Sequence, residues 1–136
     1  MRVLIATLAD YASISLGDKL NILGIFSNII APQEPITHPQ MQLVVQLEFQ
    51  PSEAGKKDVR VVLTNEDGHE VLSLGGEMLV PRPPHSQAFT VNQILVFNGV
   101  TFPKFGEYEF QFMLNGEVRA QIPVQVVKAN PPVTNA

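Results

Sequence analysis

The chain has 136 residues, 45% hydrophobic and 16% charged, with a net charge of −4 and a pI near 5.2. That length suits one domain with its own core, while nine basic residues scattered except at Lys56, Lys57 and Arg60 give no footprint for a phosphate backbone, so no nucleic-acid partner is expected. Cysteine is absent, which removes disulfides and thiolate chemistry and fits the cytoplasm, and no apolar run approaches a membrane span.

The first apolar run, Val3 to Ala9, is broken by Thr7 and followed by Asp10. It is shorter than the apolar segment of a signal peptide and reads as a buried strand, with Asp10 and Asp18 flanking a short turn. Residues 19–30 are rich in β-branched side chains around Gly24, which predicts a strand with a bulge, with a helix as the alternative. Leu20, Ile22 and Phe26 would face one way and Leu23, Ile25 and Ile29 the other, so this strand is expected to be covered on both sides. Residues 1–30 then form an N-terminal hairpin.

After the proline-punctuated loop 32–39, Leu43, Val45, Leu47 and Phe49 alternate with other residues as a strand does. A polar link from Pro51 to Lys57 leads to Val59, Val61 and Leu63. Asn65-Glu66-Asp67-Gly68 closes a hairpin whose return strand runs from about His69 to Val80, with Gly75-Gly76 marking a bend. Pro81-Arg82-Pro83-Pro84 cannot be a central strand; it reads as a stiff crossover, or as a minimal polyproline surface. A strand from Ala88 to Asn98 follows.

Near the end, Tyr108, Phe110, Phe112 and Leu114 alternate with polar partners, Asn115-Gly116 turns the chain, and Val118, Ala120, Ile122, Val124 and Val126 return. Pro123 implies a free edge at that point. Residues 129–136 read as a flexible tail, leaving 1–128 as the domain. About eight strands at roughly ten-residue spacing predict an all-β, antiparallel sandwich.

Lys104-Phe105-Gly106-Glu107-Tyr108-Glu109-Phe110 resembles the tyrosine corner of immunoglobulin-like domains. The resemblance implies that the Tyr108 phenol bonds to backbone upstream. Lys104 stands where an Asp is usual and Phe110 where a Cys is usual, so only the immunoglobulin-like architecture carries over. More widely, Leu8-Ala9-Asp10-Tyr11-Ala12, Gly17 to Phe26, Asn65 to Gly68 and Phe102 to Phe110 resemble a group of uncharacterised bacterial proteins of about this length. That likeness implies a bacterial β-sandwich and offers no catalytic residue to transfer.

No chemistry-bearing motif emerges from the residues themselves. His38, His69 and His85 are isolated in loops or beside a turn and do not form a metal set. None of the serines has a nucleophile-elbow context, and the glycines trace no phosphate loop. A sugar platform is disfavoured by the absence of Trp. Asp10 and Asp18 read as turn residues, with a calcium or acid–base pair as the alternative. Neither a catalytic residue nor a metal or cofactor is therefore expected.

What remains is apolar surface. Leu23, Ile25, Ile29, Val44, Val62, Ile94, Val96 and Met113 are predicted to lie on outer faces. They suggest a non-enzymatic module that binds a protein partner or itself through sheet faces or edges, unless the N-terminal hairpin folds over that face within one chain. The competing reading is a metal-dependent carbohydrate-binding or small-molecule-binding domain, or an enzyme, using the loop carboxylates.

Overall fold

Strand formation follows the alternation of apolar and polar side chains. A computed structural model describes residues 1–130. Among them are nine strands: β1 (Arg2–Ser15), β2 (Lys19–Ile25), β3 (Asn28–Ala31), β4 (Ile36–Phe49), β5 (Gly55–Asn65), β6 (Glu70–Val80), β7 (Phe89–Phe102), β8 (Gly106–Leu114) and β9 (Glu117–Lys128). They form a four-stranded sheet in the order β2-β1-β4-β7 and a five-stranded sheet in the order β3-β9-β8-β5-β6. The all-β sandwich is as expected from the periodicity. Of the tail predicted at 129–136, residues 131–136 lie outside the described residues, and the Ala129 amide donates to the Ala31 carbonyl at 2.8 Å.

Two corrections come from the N-terminal region. The apolar run does not end at Asp10: β1 continues to Ser15 and turns at Leu16-Gly17-Asp18, where Gly17 and Asp18 have positive φ. Nor do residues 19–30 make one strand. Gly24, at φ +73°, bends the path, β2 ends at Ile25, and Phe26-Ser27 carry the chain to the other sheet. There β3 pairs in parallel with β9, from Asn28 against Gln125 to Ala31 against Lys128, so the sandwich is not wholly antiparallel. Pro123 lies just beyond that ladder, where β9 has β8 alone as neighbour.

The core lies between the sheets. Leu43, Val45, Leu47 and Phe49 of β4 face Phe110, Phe112 and Leu114 of β8, together with Val61, Leu63, Ile122 and Val124, all buried. Each such side chain contributes roughly 1.5–3 kcal/mol of transfer free energy. Phe97 and Phe110 pack with ring centroids 5.5 Å apart, and Phe102 meets Tyr108 edge-on at 4.9 Å. The Tyr108 hydroxyl donates to the Lys104 carbonyl at 2.6 Å and accepts from the Lys104 amide at 3.3 Å. A buried phenol thus keeps a polar partner, which avoids the cost of leaving it unpaired.

After β4, Pro51–Glu53 make one 3-10 turn. The Glu53 carboxylate accepts from the Gln50 amide at 2.9 Å and from the Met1 amine at 2.9 and 3.0 Å. The Gln50 bond first, and the amine second, hold the Glu53 carboxyl below the ordinary glutamate range.

Candidate assembly surface

The distal half of β1 leaves its neighbour. β1 pairs with β4 from Arg2 to Ala9 and with β2 from Ala9 to Ser15, so the β1–β2 hairpin is free to cross the outer face of the sheet. Its underside explains why it lies down. Ala9, Ala12, Leu20 and Ile22 pack with Val44 of β4 and Ile94 of β7 as a second small apolar cluster. Polar bonds set its position: the Ala12 amide donates to Gln42 Oε1 at 2.8 Å, and Asn92 Nδ2 donates to the Asp18 carbonyl at 3.3 Å. Asn92 Oδ1 also accepts from Gln46 Nε2 at 3.0 Å. The hairpin tip therefore rests over β7, two strands from where β1 is anchored.

The upper side of the hairpin is apolar and open. On that side Tyr11 is 54% exposed, Leu23 69% and Ile25 65%; Leu16 is exposed in the turn, and Ile14, paired with Leu20 on the lower face, is 46% exposed at its rim. Tyr11 and Leu23 are direct cross-strand partners. Between them and Ile25, Asp10 leans over Gly24, where a Cβ would come within 2.5 Å of Asp10 Oδ2. Asp10 therefore fills the space above a glycine.

Edges matter as much as faces, because an edge strand offers unpaired backbone donors and acceptors. β2, β7, β3 and β6 are the four edges. β3 has four residues; β2 has seven, with Lys19 and the left-handed Gly24; β6 carries Glu70, Glu77 and Gly75-Gly76. By contrast, the 14 residues of β7 include no charged residue and no proline. Among the described residues β7 pairs with β4 alone, over nearly its whole length.

A family of unknown function, DUF6941, matches residues 4–127, from within β1 to within β9. The chain belongs to the DUF6941 family. No curated protein matches it. Among solved structures, the DUF6941 chain is similar to a beta-glucuronidase from glycoside hydrolase family 2, at 15% identity and a TM-score of 0.40, over 68% of this chain and 10% of that one.

The residues predicted to form one outer surface divide in this DUF6941 domain. Leu23 and Ile25 are exposed on the hairpin, and Val96 is 49% exposed on β7 with Ile94 half-buried beside it. Ile29, Val44 and Val62 are buried, contrary to expectation. Ile29 turns into the main core because β3 has changed sheets. Val44 lies beneath the hairpin, so the self-covering alternative holds for that position. β2, expected to be covered on both sides, is covered on one.

Val62 and the half-buried Met113 belong instead to an open groove of about 860 Å³ on the outer face of the five-stranded sheet, with Glu107 and Glu109 also lining it. Arg60 lines one side of this groove and donates to β6, to Ser73 Oγ at 3.1 Å and to Glu70 Oε1 at 3.3 Å. Asp10 and Asp18 are not brought together: Asp10 is mid-strand and Asp18 is in the turn beyond Ser15, roughly 17 Å along the ladder. Among the described residues no group of three or more His, Asp or Glu side chains is placed to hold a metal, and no helix is long and apolar enough to cross a membrane.

Tyr11, Ile14 and Leu16 were not among the predicted surface residues. Their signal is that Tyr11 and Ile14 lie beyond the apolar run, where the strand continues without a second apolar partner face.

Proposed function

We propose that this DUF6941 chain is a non-catalytic assembly module that associates through its four-stranded sheet, with a second copy of itself as partner. The observation that carries this reading is the concentration of exposed apolar side chains on one hairpin: Tyr11, Ile14, Leu16, Leu23 and Ile25. Monomeric surfaces scatter such residues singly; a contiguous set gains free energy when a partner covers it. The surface chemistry agrees, because only 16% of residues are charged.

The sandwich is of the immunoglobulin-like kind on this reading. The bond from Tyr108 to the Lys104 carbonyl, the one the tyrosine corner calls for, supports it. The absence of cysteine supports a cytoplasmic setting.

Multi-angle light scattering at micromolar concentration tests the proposal. The expected result is a species at twice the 15.0 kDa chain mass or more, reduced towards the single-chain mass by a charge placed at the exposed hairpin tip, Leu16→Asp. A strict monomer across that range overturns it.

A further inference from the structure

Resting on that assembly reading, we infer that the contact is made by β7, which pairs antiparallel with β7 of a second copy to join two four-stranded sheets into one of eight. Three observations carry this inference. First, every other edge has a feature that discourages pairing: β3 is short, β2 carries a charge and a left-handed glycine, and β6 carries two glutamates and a glycine pair. β7 has none of these over Phe89 to Asn98, and its first irregularity is Gly99 at φ +67°.

Second, that regular stretch is compatible with itself. Outer-face residues must oppose outer-face residues across a continuous sheet. Centring the two-fold axis on Ile94 uses the full stretch, setting Ile94 against its own copy, Asn92 against Val96, and Thr90 against Asn98. No charge meets a like charge, and the overlap is about 30 Å long.

Third, the hairpin tip is already in place. Asn92 holds the Asp18 carbonyl at 3.3 Å, which brings the turn carrying Leu16, two residues earlier and 97% exposed, to the residue that Val96 of the second copy would oppose. In the pair, each Leu16 covers the other chain's Val96, and both lose the exposure they have in a single chain. A peptide from another protein could add to the same edge, but it would not reproduce this reciprocal contact.

The chain has no cysteine, so introduced thiols report the contact directly. Opposed residues in an antiparallel pair have Cα atoms about 4.5–5.5 Å apart, within disulfide reach. Ile94→Cys is expected to form a covalent dimer under mild oxidation, doubling the 15.0 kDa mass, whereas Ile30→Cys on exposed β3 is expected to stay single. Since Ile94 also packs under the hairpin, the double variant Thr90→Cys with Asn98→Cys, both at exposed positions, repeats the test without touching that cluster. Leu16→Asp is expected to weaken association roughly tenfold or more with the thermal midpoint of the dilute monomer unchanged. If the wild-type chain associates but neither β7 variant links above the Ile30→Cys level, the β7 contact is overturned and the assembly reading survives. A wild-type chain that stays monomeric removes the assembly reading itself.

Discussion

Gly24 and Asp10 show how one residue can shape the hairpin. A side chain at position 24 would have to tolerate φ +73° and would meet Asp10 Oδ2 at 2.5 Å. Gly24→Ala is therefore expected to cost more than about 1 kcal/mol in urea unfolding, and Asp10→Ala should relieve the steric part while leaving the backbone part. Tyr108→Phe removes the bond to the Lys104 carbonyl and should cost about 1 kcal/mol in the same measurement. Glu53 gives a pH dependence with a definite sign. Its carboxyl titrates lower in the folded chain than in the unfolded one, so its contribution is complete above the ordinary glutamate pKa and is lost as pH falls through the folded value. Glu53→Gln should accordingly lower the melting temperature at neutral pH, with the deficit shrinking in acid. Of these residues, Tyr108 was legible in the sequence through its glycine two positions earlier. The Asp10–Gly24 contact was not, because strand register alone decides which residues meet.

At the scale of elements, the strands themselves were written in the alternation of β4, β5, β8 and β9, and the Asn115-Gly116 and Asn65 to Gly68 turns marked their ends. The division of residues 19–30 was not. A β-branched run with one glycine reads as a bent strand, and what cuts it is a parallel ladder to residues 125–128, 97 positions along the chain from 28 to 125. That division also parted two isoleucines predicted to share the surface, burying Ile29 while Ile25 stays exposed. The hairpin's descent onto β4 was foreshadowed by Val44, an apolar residue on what should have been an open face. Its attachment is testable through Asn92, which links Gln46 to the Asp18 carbonyl. Asn92→Ala should leave global stability within about 1 kcal/mol but raise amide hydrogen exchange in residues 13–21, because the tip loses its hold on β7 while the core is untouched.

For the molecule as a whole, the two sheets depend on the last strand. β9 supplies Ile122, Val124 and Val126 to the core and, among the described residues, is the only partner of β3. At roughly 1.5–3 kcal/mol per buried side chain, removing it exceeds the margin of a typical domain. A chain ending at Gly116 is expected to lack cooperative thermal unfolding by circular dichroism. The candidate surface was legible only in part: composition announced a shortage of charge, but only tertiary structure showed that β7 has none while Arg60 and the glutamates line the opposite sheet.

The parallel ladder has a mechanical meaning as well. The backbone enters it at residue 28 and leaves it at residue 128, with both strands pointing the same way. Tension applied between those two points slides β3 along β9, so the rungs strain together, whereas an antiparallel hairpin pulled at its open end peels one rung at a time. The four-residue strand that looks least substantial in the fold is thus placed to act as its latch.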